Sequence, residues 1–128
     1  MTMAAFGRID ILHNNVGDST GDAGPISITA EAWRRILDLN LTSMLLTSKH
    51  VLPVMRAQGS GVIIKISSII SLCSDTTIVG SAPDQDAGLI AYKTSKVGVN
   101  ALTESMAMSN ARYGVRVNAI LPGLMDTP

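Results

Sequence analysis

One cysteine, Cys73, stands in a chain of 128 residues. A lone thiol cannot close an internal disulfide, and no cluster of Cys and His accompanies it, so a disulfide-stapled scaffold and a zinc-type centre are both excluded. A reducing compartment is the expectation. An excess of charge of either sign is also missing, because 10 Lys and Arg balance 10 Asp and Glu. That leaves no electrostatic footprint for nucleic acid or for an anionic membrane surface. No apolar stretch reaches the roughly 20 residues that span a bilayer, since Lys49, Pro53 and Lys65 interrupt the candidates. The opening Met1-Thr2-Met3-Ala4-Ala5-Phe6-Gly7-Arg8 lacks the basic region and apolar run of a signal peptide. Cytoplasmic residence is expected. Internal repeats and low-complexity tracts are missing too. What remains is 46% hydrophobic and 16% charged. That is the balance of a single globular domain that takes a small-molecule ligand, with neither nucleic acid nor membrane as partner.

Along the chain, Ile9-Asp10-Ile11-Leu12-His13 is a short apolar run between Gly7 and the polar turn Asn14-Asn15-Val16-Gly17. It reads as a buried strand ending in a tight loop. Thr29 is an N-cap candidate and Glu31 complements the dipole of a helix that follows. Trp33, Ile36, Leu37, Met44 and Leu45 then recur at helical spacing, so the helix is expected to run toward Gly59 despite Pro53. Asn40 is its polar interruption. Gly61-Val62-Ile63-Ile64-Lys65-Ile66-Ser67-Ser68 is apolar and β-branched until it ends in two serines, the pattern of a central parallel strand. The stretch 72–89 has no period and is longer than ordinary connections. A second helix is expected from Ile90 to about Tyr113, stopped by Gly114, and a third strand over Val115 to Leu121. Strand, helix, strand, helix, strand is the grammar of a parallel sheet, whose sites collect outside the strands' carboxyl ends.

Tyr92-Lys93-Thr94-Ser95-Lys96 sets a phenol and an ammonium four residues apart, on one helical face. A unit charge about 4 Å from a phenol contributes on the order of 4 kcal/mol at an effective dielectric of 20, enough to favour proton transfer near neutrality. Most pairs at this spacing are solvated helix decoration, so the spacing alone defines no site. His13 and His50 have no partner at catalytic spacing and read as strand-end or surface residues. Met44, Met55, Met106 and Met108 read as helix packing residues.

Around the pair stand Asn14-Asn15-Val16-Gly17, Asn40, Ser68, and Pro122-Gly123 followed by Thr127. Taken in order with Tyr92 to Lys96, these motifs resemble the short-chain dehydrogenase/reductase family of the classical type, and the resemblance covers nearly the whole chain. It implies an α/β fold: a partial doubly wound, Rossmann-like parallel sheet of three strands with two long helices, one partial domain over residues 1–128. It implies an oxidoreductase that moves hydride between NAD or NADP and a ketone or secondary alcohol. Tyr92 would be general acid in reduction and general base in oxidation. Lys96 would assist its ionisation and hydrogen-bond the nicotinamide ribose. Ser68 would hold and polarise the substrate oxygen, with Ser67 as the alternative serine. Asn40 would fix a water that relays protons toward Lys96. Asn14, Asn15 and Gly17 would form the turn beside the cofactor's adenosine, with Val16 where alanine is usual; a purely structural role for that turn is equally open. Pro122 and Gly123 would present backbone to the nicotinamide, and Thr127 would bind its carboxamide.

The chain departs from the family in three ways, one of which is an apparent truncation after Pro122-Gly123, before the family's substrate-covering segment and final strand. The glycine-rich phosphate turn of the N-terminal dinucleotide-binding half has no counterpart, and the chain starts at what resembles the end of the helix before the family's fourth strand. An apolar edge is then expected to lie open beside the strand Ile9 to His13, with poor stability of the chain alone, or its being a fragment of a longer product, as the consequence. The interval from Ser68 to Tyr92 is longer than the family's usual one, as a substrate-shaping insertion or a disordered loop. The family also commonly forms homo-oligomers through the two helices represented here. A truncated, non-catalytic remnant acting as an oligomerisation or interaction module is therefore the alternative function, and a nucleotide-binding regulatory domain is a second.

Overall fold

The computed structural model describes residues 2–73, 86 and 88–124. Thr127 and most of the long interval between Ser68 and Tyr92 lie outside these residues. In chain order the elements are helix α1 (Thr2–Phe6), strand β1 (Ile11–Asn14), helix α2 (Ala30–Leu37), a π-helical segment (Asp38–Thr42), helix α3 (Ser43–Gln58), strand β2 (Gly61–Ile66), a 3₁₀ turn (Ile69–Ser71), helix α4 (Ile90–Asn110), a second 3₁₀ turn (Ala111–Tyr113) and strand β3 (Val115–Ile120).

The three strands form one parallel sheet in the order β1-β2-β3. Its register aligns Leu12 with Ile63 and Val117, and Asn14 with Lys65 and Ala119. Side chains alternate between sheet faces, so one face gathers Leu12, Ile63, Lys65, Val115 and Val117. The core sits there: Met55 of α3 and Met106 of α4 pack with Ile63, Val115 and Val117. The alternate set, with Ile11, His13, Arg116, Asn118 and Ile120 all exposed, forms a face that no described element covers. The open edge expected beside β1 is distinct from this face: β1 is the first strand in the sheet order of the described residues, and on the uncovered face Ile11 is 63% and Ile120 51% exposed.

Differences from the sequence expectation have local causes. The β1 ladder starts at Ile11, not Ile9, because the Gln58 side chain takes the place of a strand partner there. Ile9 N donates to Gln58 Oε1 at 2.9 Å, and Gln58 Nε2 donates to Ile9 O at 2.9 Å. Asn14 belongs to the strand and not to the turn. The helix expected from Thr29 to Gly59 is interrupted once, by the π segment around Asn40, while Pro53 sits on an exposed face within α3 without ending it. Thr29 caps α2 as expected, its Oγ1 accepting from Ala32 N at 3.1 Å. Met44, Met55 and Met106 are buried, whereas Met108 is 84% exposed and takes no part in packing. His13 and His50 are exposed.

Candidate active site

The carboxyl ends of β2 and β3 are stapled together. Ser67 N donates to Ile120 O at 2.8 Å, and Ile69 N donates to Pro122 O at 2.9 Å. Alternation along the extended backbone then separates the two serines. Ser67 is buried, and its hydroxyl donates to Lys96 O at 3.0 Å, so it serves as a tie between β2 and α4. Ser68 lines a cleft, and its Oγ accepts from Ile70 N at 3.3 Å while capping the 3₁₀ turn.

Helix α4 brings Tyr92 and Lys96 to the same cleft from above the strand ends. Lys96 is buried, with Nζ 2.9 Å from Ile66 O, 3.4 Å from Val16 O and 5.4 Å from the centroid of the Tyr92 ring. Burial lowers its pKa from the ordinary lysine value, since an apolar setting penalises the charged form. Gly17 gives this ammonium its room: a Cβ there would lie 3.2 Å from Lys96 Nζ. The cleft, of about 310 Å³, is lined by Asn15, Val16, Gly17, Ile66, Ser67, Ser68, Tyr92, Lys96, Pro122 and Gly123.

Asn40 and Asn14 stand behind that lining. The π segment places Asn40 fully buried, a widening of the helix of the kind found at functional sites. Its Oδ1 accepts from Asp18 N at 2.9 Å, and its Nδ2 donates to Asp18 O at 2.9 Å and to Ser95 Oγ at 3.1 Å. Both side-chain amide hydrogens are thus engaged, and a water held by Asn40 would meet one of its oxygens, the remaining lone pair of Oδ1 or the main-chain carbonyl. Asp18 is further tied to Arg35 by a 2.5 Å ion pair, and hydrogen bonds from Thr20 and Arg35 lower its carboxyl pKa to about 2. Asn14, named above as a cofactor contact, is not in the cleft lining. It is buried on the helix-covered face, where Thr47 Oγ1 donates to its Oδ1 at 3.0 Å. Its position in the strand puts it on the helix-covered face, outside the lining of the cleft.

Three polar residues near the site were not singled out from the sequence. Ser95 lies inside the Tyr92–Lys96 motif, and its Oγ donates to Tyr92 O at 2.6 Å. Asp22 meets the first amides of α4 across a separation of about seventy residues, with no local signal to announce it. Lys65 is fully buried beneath α3, its ammonium 2.7 Å from Ser48 Oγ and 3.3 Å from Met44 O, and burial alone lowers its pKa to about 8.

A parallel α/β sheet whose strand ends gather a serine, a tyrosine and lysine on one helix face, and two backbone turns belongs to the Rossmann-like class of nucleotide-binding folds. Within that class, the family model described as short chain dehydrogenase matches residues 1–128, and the chain belongs to that family. It is 39% identical over 125 residues to cis-4-hydroxycyclohexanecarboxylate dehydrogenase of Sinomonas cyclohexanicum, covering 98% of this chain and 46% of that protein. It is 38% identical over 129 residues to 2-(R)-hydroxypropyl-CoM dehydrogenase of Xanthobacter autotrophicus, covering 99% and 47%. Among solved structures, a Burkholderia xenovorans protein described as a short-chain dehydrogenase/reductase superposes with a TM-score of 0.86 at 36% identity, covering 99% of this chain and 44% of its own. An NAD+-bound xylitol dehydrogenase superposes with a TM-score of 0.80 at 33% identity, covering 99% and 45%. The chain therefore spans about half the length of the curated relatives it matches. Among the described residues no helix is long and apolar enough to cross a membrane, and no group of His, Cys, Asp and Glu could hold a metal.

Proposed function

We propose that this chain carries the proton-transfer centre of a nicotinamide-dependent oxidoreductase acting on a ketone or secondary alcohol. The observation that supports it is the meeting of Ser68, Tyr92 and Lys96 at one cleft beyond the strand ends. In reduction Tyr92 hands its phenolic proton to the substrate oxygen, and in oxidation it takes that proton back. Ser68 Oγ already accepts from Ile70 N, so its own O–H is free to be offered to the same oxygen. Lys96 has three donors and spends two on Ile66 O and Val16 O, which leaves one for a ribose hydroxyl. Asn40 acts from behind, holding the Asp18 backbone and through it the turn that carries Val16 and Gly17.

These residues fit the nicotinamide end of the cofactor: a donor at Lys96 and open backbone at Pro122 and Gly123, while Gly17, expected beside the adenosine, borders the same cleft against Lys96. When bound, the nicotinamide supplies or accepts the hydride. The cleft meets the part in which NAD and NADP are chemically the same, so the reading is NAD(P). Calorimetry with both nucleotides and turnover on a panel of ketones test it. One nucleotide is expected to bind, Lys96→Met to weaken binding about tenfold, and Tyr92→Phe to keep binding while lowering kcat by roughly a thousandfold. Turnover of Tyr92→Phe equal to the parent's would remove Tyr92 from the role.

A different surface favours a second copy of the chain as partner. Leu41, Leu45 and Leu102 wall an apolar groove between the π segment, α3 and α4, and Leu39, Leu45, Leu46 and Val97 are each more than a third exposed around it. Leu45→Glu is expected to shift the sedimentation profile toward monomer, and an unchanged profile would count against this partner.

A further inference from the structure

Tyr92 is held by its own peptide groups, and the hold on its N–H comes from the loop after β1. Helix α4 starts after Leu89, whose aliphatic side chain caps nothing. The first amides of a helix have no intrahelical acceptor, yet two of these are met. Asp22 Oδ1 accepts from Ala91 N at 3.1 Å, and Asp22 Oδ2 accepts from Tyr92 N at 2.7 Å. A carboxylate suits the place because it offers an acceptor to each of two adjacent donors, and its charge opposes the positive end of the helix dipole.

Asp22 is itself fixed. Its N–H donates to Ser19 O at 2.9 Å, and Ala23 N donates to its Oδ1 at 2.9 Å. Four residues earlier, Asn40 holds both the N–H and C=O of Asp18. On the other side of the peptide, the Tyr92 carbonyl accepts from Ser95 Oγ, which accepts from Asn40 Nδ2. Both hydrogen-bonding groups of the Tyr92 backbone are thus tied, the carbonyl to Asn40 through Ser95 and the N–H to Asp22, in a loop whose start at Asp18 is held by Asn40. A reverse clasp closes the loop: Asp86 Oδ2 accepts from Ile26 N at 3.0 Å and Ser27 N at 2.5 Å, and Gly24 N donates to Asp86 O at 3.0 Å.

We propose that Asp22 is a positioning residue for Tyr92: as a long-range cap it sets the rotation of the first turn of α4 and so aims the phenol into the cleft beside Lys96. This rests on the reading of Tyr92 as the proton-transfer residue, and it extends that reading to the loop 18–28.

Amide exchange and side-chain shifts of the full chain, followed by NMR, test it without reliance on turnover. Asp22→Ala is expected to speed exchange at Ala91 and Tyr92 on the order of tenfold, the usual consequence of a lost cap. Met106 and Ala107, at the far end of α4, are expected to keep the parent's rates. The ring-current shift that Tyr92 imposes on the Lys96 side chain, 5.4 Å from the ring centroid, is expected to shrink. Asp22→Asn, which keeps one acceptor oxygen, is expected to fall between parent and Asp22→Ala. Thr29→Ala, loss of the cap on α2, is expected to alter exchange at Ala32 and leave the Lys96 shift in place. Unchanged exchange at Ala91 and Tyr92 would overturn the proposal. So would equal acceleration along all of α4, or an unmoved Lys96 shift, since Asp22 would then only stabilise the fold. The proton-transfer reading fails separately, through Tyr92→Phe turnover, because that variant leaves the Tyr92 backbone bonds intact.

Discussion

Two lysines of this chain are buried, and their surroundings give them different work. Lys96 reaches the cleft, where two carbonyls hold it beside the Tyr92 ring. Lys65 is directed under α3 with only a serine hydroxyl and a carbonyl to meet its ammonium. Its folded-state pKa of about 8 lies below the ordinary 10.5. The unfolded chain therefore binds more protons between those two pH values, so the stability of the fold rises with pH across that window and is level below it. Lys65→Met is expected to reduce the pH slope between 8 and 10.5, leaving the part contributed by Lys96, whose pKa burial also lowers. It is also expected to stabilise the chain by about 2 kcal/mol at neutral pH, because an apolar side chain avoids the desolvation of the ammonium. Denaturant titrations of both proteins at pH 7 and 10 measure the two effects, and a slope undiminished in the variant would place the titrating group elsewhere. Ser67 and Ser68 show the same sensitivity to direction. Adjacent in sequence, both border the cleft, but the Ser67 hydroxyl is spent on tying α4 to β2.

At the scale of elements, α3 and the turn after α4 end side by side on two glycines. Gly59 and Gly114 each have φ of 70°, the left-handed conformation that costs other residues about 1–2 kcal/mol. Their surroundings differ. A Cβ on Gly59 would meet nothing within 4 Å, whereas one on Gly114 would lie 2.3 Å from Gly59 O. Gly59→Ala is accordingly expected to cost about 1 kcal/mol, and Gly114→Ala at least ~2 kcal/mol more, since a backbone must move to admit it. Equal losses in thermal or denaturant unfolding would mean that the clash relaxes freely. The helix containing Asn40 carries a subtler element-scale feature. Apolar periodicity made the stretch from Trp33 onward legible as helix, and a polar residue among leucines marked position 40, but periodicity has no term for the π widening around it.

As a whole the described residues form a sheet with helices on one face. Leu12, Ile63, Val115 and Val117 enter the core with Met55 and Met106, while Ile11, Arg116, Asn118 and Ile120 remain exposed on the face opposite. Parallel sheets ordinarily have both faces covered, and the aliphatic Ile11 and Ile120, exposed among the polar residues of this face, favour association. The chain by itself is expected to bind an apolar-surface dye and to associate as its concentration rises, with a broad thermal transition. Ile11→Lys combined with Ile120→Lys is expected to reduce dye binding and association while leaving the helix content unchanged by circular dichroism. A sharp, concentration-independent transition of the unmodified chain would show that the face is not a liability.

Residue order and periodicity carried much of this protein openly. Strand, helix, strand, helix, strand can be read from runs of Val and Ile alternating with helical spacing, because each depends on neighbours within a few residues. The motif order Asn14 to Gly17, Asn40, Ser68, Tyr92 to Lys96, Pro122-Gly123 likewise marked the family, and the family match spans residues 1–128. Long-range contacts stayed hidden. Asn14 turned inward because the strand extends one residue further than its turn-like composition indicates, and side-chain direction reverses at each strand position. Asp22 caps α4, and Gln58 stands in for a strand beside Ile9, through bonds whose partners are 70 and 49 residues apart. No local pattern encodes such pairs, since they exist only once the strands have set the distance between one loop and one helix end.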